Sequence, residues 1–279
     1  METILKKSWQ TPKPNKLIYQ VYIGNKSKLY NHCTDSVERY AERIGADYIL
    51  QTIPELKIAP NPFMNERDGK AGGWKRYGYL PIFEKENVFD YFDEYDKCCV
   101  IDADIFIKNS APDIFDNISL CDTLGSVYEC DLPITNTYAN KIYGYSMVLN
   151  KYNENENLAW ETKSNTGYEF FNSGVMLYNS KNMKKCLNGM TPKQFLNQIE
   201  LEDFINGRGQ LKFQTDQLTL NYWFKRNKIK VKHLDWKWNC LYGAVEEGAV
   251  DKSHFVHFFL KDYLPEQGEN VAEITKEYN

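Results

Sequence analysis

Residues 17–53 of this 279-residue chain constrain its fold more than any other stretch. Leu17–Ile23 (LIYQVYI) reads as a strand, closed by Gly24-Asn25. From Lys28 to Ile44 the apolar residues Leu29, Cys33, Val37, Tyr40, Ala41 and Ile44 recur with a helical period, and Gly45 supplies a stop. Asp47–Ile53 (DYILQTI) reads as a second strand. Strand, helix and strand in so short a span make a βαβ unit, which calls for a parallel sheet and an α/β class.

The rest of the chain fits around that unit. Residues 1–16 read as a loose arm closed by Pro12 and Pro14, and Pro54–Gly73 as a long polar loop. Trp74–Glu86 reads as a helix interrupted near Pro81, the apolar run that opens Lys97–Ile107 as a buried strand with two carboxylates at its end, and Thr123–Tyr128 as another strand. Glu129–Thr166 is rich in Asn, Tyr and Glu and reads as an irregular surface insertion facing an acceptor. Gly167–Tyr178 returns to strand character. Helices are expected at Ser180–Leu187, at Pro192–Ile205 with Thr191 as cap, and at Thr215–Lys225 with Thr215 as cap. Val231–Leu234 and Phe255–Leu260 are short apolar pieces, and the tail at about 265–279 is polar. With no internal repeat and no linker, 1–279 is expected to be a single domain.

Charge and cysteine usage narrow the function. The net charge of −4, from 34 basic and 38 acidic side chains, is not the basic excess of a nucleic-acid binder. The N-terminus carries no long apolar core of a signal peptide, and no stretch approaches the roughly 20 apolar residues needed to span a bilayer. The seven cysteines include no C-x-x-C pair, so reduced thiols and a cytoplasmic location are expected, without zinc held by cysteines.

Several clusters could carry chemistry. Asp102-Ala103-Asp104 ends the apolar run Cys98–Ile101. If the backbone is still extended there, the two carboxylates share a side. Such a pair resists joint ionisation without a cation between, and oxygen ligands suit Mg²⁺ or Mn²⁺. A core strand running into an acidic turn explains the pair equally well. Ser253–Lys261 holds His254, His257 and Lys261; in a strand the two histidines face opposite ways, so only one reaches a site. Packing roles explain lone histidines more often than ligation does. Asn172, Ser173 and Gly174 interrupt an apolar strand, where Gly permits close backbone approach to a ligand and Asn can bond a sugar hydroxyl, or where the strand simply bulges. Asp216-Gln217 opens a helix, where Asp is also ordinary dipole compensation. Lys75-Arg76 at a helix start could meet an anion or form a solvated face. P-loop, Rossmann dinucleotide and G-x-S-x-G motifs are all missing.

Taken in order, these motifs resemble the GT-A glycosyltransferases, and most closely glycosyltransferase family 8, the retaining group that includes glycogenin and bacterial galactosyltransferases. The resemblance is carried by Tyr95–Asp104 (YDKCCVIDAD), Phe171–Met176 (FNSGVM), Asp216–Asn221 (DQLTLN), Trp238-Asn239, and His257-Phe258 with Lys261, so it spans about residues 17–261. Leu260 and Asp262-Tyr263 depart from the Gly and Pro-Trp that the family places around the lysine.

The resemblance implies a mixed, mainly parallel central sheet flanked by helices, in a Rossmann-like fold for nucleotide-diphospho-sugars. It implies Mn²⁺, or Mg²⁺, on Asp102, Asp104 and His257, with Lys261 on phosphate. Tyr22 and Gly24 would hold the nucleotide. Ala103, Asn172, Ser173, Gly174, Asp216 and Gln217 would line the donor sugar, with Asp216, Gln217 and Asn172 at the reaction centre. Lys75 or Arg76 would match the family's basic residue before the acidic strand. The implied activity is metal-dependent, retaining transfer of a hexose from a UDP-linked donor (UDP-glucose or UDP-galactose) to a glycan or other hydroxyl acceptor. A covalent intermediate on Asp216 competes with same-face attack. The alternatives are a nucleotidyltransferase or phosphohydrolase on the same acidic site, or a non-catalytic sugar-nucleotide binder; a homodimer is one option for assembly.

Overall fold

A computed structural model describes residues 4–6, 15–24, 27–67, 73–158, 160, 167–213, 216–259 and 264–278. Strand β1 (Ile4–Lys6) precedes β2 (Lys16–Val21), helix α1 (Lys28–Ile44) and β3 (Asp47–Gln51). β2 and β3 are parallel, Leu17 facing Asp47 and Val21 facing Gln51, as the βαβ reading requires. The buried stripe of α1 includes Leu29, Cys33, Val37, Tyr40 and Ala41, and Gly45 ends the helix at φ 67, in the left-handed region where a side chain is strained. Part of the expected loose arm is ordered: β1 pairs antiparallel with β3, Ile4 against Leu50. That pairing covers backbone groups that β3 would otherwise expose at the sheet edge.

The helix expected over Trp74–Glu86 breaks twice. Only α2 (Trp74–Tyr77) forms before Gly78 at φ 72, and a 3₁₀ stretch then runs Pro81–Tyr91. Glu84, Lys85, Glu86 and Asn87 in that stretch are all buried, although nothing apolar among them signals it. Glu84 explains part of this. Its carboxylate accepts from the backbone N–H groups of Glu55, Leu56 and Lys57 and from the amides of Gln51 and Asn87, so it fastens the loop after β3 to the inside of the protein.

The stretch Lys97–Ile107 holds two strands, β4 (Lys97–Ile101), which ends at the acidic pair as expected, and β5 (Ile105–Ile107). Asp102-Ala103-Asp104 forms the turn between them, with Ile105 N–H donating to the Asp102 carbonyl at 3.2 Å. β6 (Leu124–Tyr128) follows. The stretch expected to be irregular instead holds α3 (Asn136–Asn155), twenty residues long. Its buried positions, Ile142, Ser146, Leu149, Asn150 and Asn153, keep helical spacing, but three of the five are polar, so no apolar period shows in the sequence. Residues 159 and 161–166 lie outside the described residues.

β7 (Phe171–Asn179) leads into α4 (Ser180–Leu187). The helix expected over Pro192–Ile205 divides into α5 (Pro192–Leu196), started by a Thr191–Gln194 capping box, and α6 (Glu202–Asn206). Then come α7 (Asp216–Arg226), β8 (Val231–His233), β9 (Cys240–Leu241), α8 (Ala249–Lys252), β10 (Phe255–His257) and α9 (Val271–Ile274). Thr215, the expected cap of α7, lies outside the described residues. The tail is not simply polar surface: Val271 packs with Leu29 and Cys33, and Thr275 Oγ1 meets His32 Nε2 at 2.8 Å.

Among the described residues, a seven-stranded sheet runs β1-β3-β2-β4-β7-β6-β8 and a three-stranded sheet runs β5-β10-β9. In the large sheet five strands share one direction; β1 and β7 oppose them. Alternate residues feed the two faces: Leu17, Tyr19, Cys98, Val100 and Met176 enter one core, while Ile18, Cys99, Ile101 and Val175 enter the other. No helix among the described residues is long and apolar enough to cross a membrane.

Candidate active site

The turn after β4 is held from both sides. Asp102 N–H donates to the Gly174 carbonyl on β7, and Phe258 N–H, just past β10, donates to the Asp104 carbonyl, each at 2.9 Å. The second bond follows from antiparallel register, in which His257 faces Ile105. His257 Nε2 therefore lies 3.2 Å from Asp104 Oδ1 and 3.9 Å from Asp102 Oδ2. One ligand atom from each of the three residues falls within 4.8 Å of the others. The carboxylates converge because the backbone turns, not because an extended strand sends both to one side. His254 is elsewhere, its ring centroid 4.8 Å from that of Trp238.

The donor set fits a hard divalent cation: two carboxylates and an imidazole, with no thiol. Burial favours the neutral form of each group, yet Asp104 is held below the ordinary carboxylate range because His257, a backbone hydrogen bond and Lys85 together outweigh burial. His257 is raised for the reciprocal reason. Asp102 moves up, burial and nearby Asp104 together exceeding the help of Lys85.

Gly174 has a specific task. A Cβ there would stand 2.7 Å from His257 Cε1 and 2.8 Å from Nδ1. The glycine thus admits the histidine ring against β7 rather than a ligand, and it does not line the cavity described below. On the ring's other nitrogen, Nδ1 lies 2.8 Å from Asn239 Oδ1.

Lys85, from the buried 3₁₀ stretch, is the basic residue beside the acidic pair. Its Nζ lies 2.8 Å from Asp102 Oδ1 and 2.6 Å from Asp216 Oδ2, and it donates to the Ser173 carbonyl at 3.3 Å. Burial alone would pull its pKa down; Asp102 and Asp216 reverse that and raise it. Lys75 and Arg76, expected in this role, are on α2 away from the cavity lining, with the Arg76 guanidinium over the Tyr77 ring. A lysine between two glutamates, with no apolar period around it, offered no sequence signal of burial.

Glu129 was also invisible in the sequence. It follows β6 directly and is 4 % exposed. Its Oε1 accepts from Asn172 Nδ2 at 3.1 Å and from Gln217 Nε2 at 2.9 Å, while Oε2 has no hydrogen-bond partner among the described residues. Burial pushes its pKa up to about 7, against the pull of those two amides. Between its ordinary value of 4.5 and about 7 the unfolded chain binds fewer protons than the native one, so stability falls as pH rises through that window. Glu129→Gln keeps an oxygen for both amides and removes the ionisation. Urea titrations should show no difference from wild type near pH 4 and a Gln variant more stable by about 3 kcal/mol above pH 7; a constant difference across that range would refute the assignment.

These groups line one cavity of about 530 Å³ with Tyr22, Ala103, Ser173 and, from α3, Lys141 and Tyr145. Asp102, Asp104, Asn172, Asp216, Gln217 and His257 all reach it. Gly24 does not; at φ 128 it makes room for the Tyr77 hydroxyl, which a Cβ would meet at 2.5 Å. Lys261 lies outside the described residues.

Comparison with known proteins agrees with this architecture. No match was found among curated proteins. Among solved structures, a galactosyltransferase LgtC in complex with donor and acceptor sugar analogs aligns with TM-score 0.55 at 16 % identity, covering 94 % of each chain. A glycosyltransferase involved in glycosylation of the major capsid of PBCV-1 aligns with TM-score 0.52 at 13 % identity, over 93 % of this chain and 100 % of that one. Mouse xyloside xylosyltransferase 1 gives 0.52 at 15 %, over 90 % and 100 %. At such identities the likeness shows the GT-A fold. The family model for glycosyl transferase family 8 matches residues 17–261, and with most of the chain inside that match, this protein belongs to glycosyl transferase family 8 and is a glycosyltransferase.

Proposed function

We propose that the protein is a cation-dependent, retaining glycosyltransferase that moves a hexose from a UDP-linked donor to a hydroxyl acceptor. The observation carrying this reading is the meeting, in one cavity, of the Asp102–Asp104–His257 cluster with the buried Lys85–Asp216 pair. Asp102, Asp104 and His257 would hold Mn²⁺ or Mg²⁺, which when bound neutralises diphosphate charge and eases departure of the leaving group. Lys85 adds a fixed positive charge on the same side. Asn172 and Gln217 each spend one amide N–H on Glu129 and keep a second for a sugar hydroxyl. Glu129 Oε2, with no partner among the described residues, accepts the acceptor hydroxyl and sets its direction. Asp216 is bound to Lys85 at 2.6 Å, which lowers its nucleophilicity and favours same-face attack over a covalent intermediate. Tyr22 and Tyr30 offer rings for the nucleotide. Lys261 remains our candidate for a phosphate contact.

The test is nucleoside diphosphate release from a panel of nucleotide sugars, with Mn²⁺ and with chelator, and the anomeric configuration of the product. Asp104→Ala should lose about two to three orders of magnitude in rate, the scale of removing one preorganised charge-stabilising group. Full activity in chelator would sink the cation role, and pyrophosphate as product would indicate nucleotidyl transfer instead.

A further inference from the structure

We infer that Asn239 is a positioning residue: it fixes the proton of His257 on Nδ1, so that Nε2 presents its lone pair to the cation. The inference rests on the reading of Asp102, Asp104 and His257 as cation ligands, but its mechanism follows from hydrogen bonds alone.

Two consecutive backbone N–H groups on β7 are unambiguous donors, and they anchor a polar network. Gly174 N–H points at the side-chain amide of Asn172 at 2.9 Å, so the atom it meets must be Oδ1. That oxygen also faces the side-chain amide of Asn239 at 2.8 Å, so the Asn239 atom there must be Nδ2. The other end of the same amide, Oδ1, then faces His257 Nδ1 at 2.8 Å, and Nδ1 must carry the hydrogen. Ser173 N–H does the same for Gln217, donating to Oε1 at 3.1 Å and turning Nε2 toward Glu129. The donors run His257, Asn239, Asn172, and end on Glu129 Oε1. All four residues are buried, so no amide can reverse without leaving a buried group unpaired.

The need for this device lies on the opposite face of the ring. Asp104 Oδ1 is 3.2 Å from Nε2 and would draw the proton of a neutral imidazole there. A hydrogen on Nε2 blocks the nitrogen that would coordinate. Asn239 competes for the proton from the far side, and Gly174, lacking a side chain, lets the ring lie close enough to β7 to meet it. A ligating histidine is commonly oriented through its second nitrogen, and losing such a partner typically weakens metal binding by about 10–100-fold.

The experiment uses the full chain. Histidine ¹⁵N–¹H correlation spectra of the metal-free protein at alkaline pH, with His257 assigned by substitution, report the tautomer. Wild type should show the hydrogen on Nδ1. Asn239→Leu should move it to Nε2 and weaken Mn²⁺ binding, read as free Mn²⁺ by electron paramagnetic resonance, by about 10–100-fold. Asn239→Asp keeps an oxygen opposite Nδ1 while losing the bond to Asn172. It should retain the Nδ1 tautomer and hold Mn²⁺ within about tenfold of wild type. A purely structural role would make the two variants alike, since both lose the Asn172 bond. An Nδ1 hydrogen in the Leu variant, or an Nε2 hydrogen in wild type or the Asp variant, overturns the inference. If the Leu variant does not fold, the Asp variant and wild type decide. Should wild type bind no Mn²⁺ while the tautomers follow this pattern, the cation reading fails and the positioning of His257 stands.

Discussion

Lys85→Met is expected to abolish transfer and to cost the fold about 3–5 kcal/mol, the usual penalty for stripping one partner from a buried ion pair. The ammonium lies between Asp102 and Asp216, at 2.8 Å and 2.6 Å, and all three groups are wholly or largely enclosed. Without it, two carboxylates face one another with nothing of opposite sign between them. Urea denaturation in chelator measures the cost directly. The Lys85→Met, Asp216→Asn double variant separates two contributions. Removing one of the stranded charges should restore most of the stability, while transfer stays lost because the fixed positive charge is still missing. A single variant that loses under about 1 kcal/mol would mean that the pair is solvated and that its geometry overstates its weight.

Gly174→Ala is the second large effect. The added methyl would sit 2.7 Å from His257 Cε1, closer than real carbon atoms approach, and neither side has easy room to give. β7 is clamped between β4 and β6, and the ring is tied through Nδ1 to Asn239. The expected cost is about 1–3 kcal/mol of stability, as for other overpacked interiors, and about a hundredfold in rate from displacing a ligand by an ångström or so. The His257→Ala background is the decisive control. With the ring gone the methyl has space, so the two substitutions should be strongly non-additive in stability. If Gly174→Ala costs as much in that background, the collision with His257 is not the cause.

What could be read from the sequence follows from which physics leaves a trace in one dimension. The βαβ start was legible because α1 repeats its apolar residues with a helical period and ends at Gly45. The order of the acidic pair, Asn172-Ser173, Asp216-Gln217 and His257 was legible because each is a polar break in apolar surroundings. Lys85 was not. It sits in a 3₁₀ stretch where Glu84 and Lys85 are enclosed by partners far away in sequence, the backbone after β3 and the Asp102–Asp216 pair. Glu129 and α3 leave no trace because their buried positions are largely polar, and hydrophobic periodicity cannot register polar groups that bury. Whether Asp102–Asp104 is extended or a turn stays open in the sequence, since a continuous apolar run does not reveal that β4 and β5 belong to different sheets.

That division between sheets has a consequence for how the protein comes into being. Asp102 follows β4 of the large sheet, whereas Asp104 opens onto β5, whose partner is β10, about 150 residues further along the chain. During synthesis the two aspartates leave the ribosome long before His257 exists. β5 waits beside a nearly complete large sheet until β9 and β10 arrive. A nascent chain can therefore build most of its core while the Asp102–Asp104–His257 cluster is still unmade, and C-terminal truncations that spare the large sheet still remove the cluster. On the proposed cation reading, capture by all three side chains would report that β10 has docked on β5.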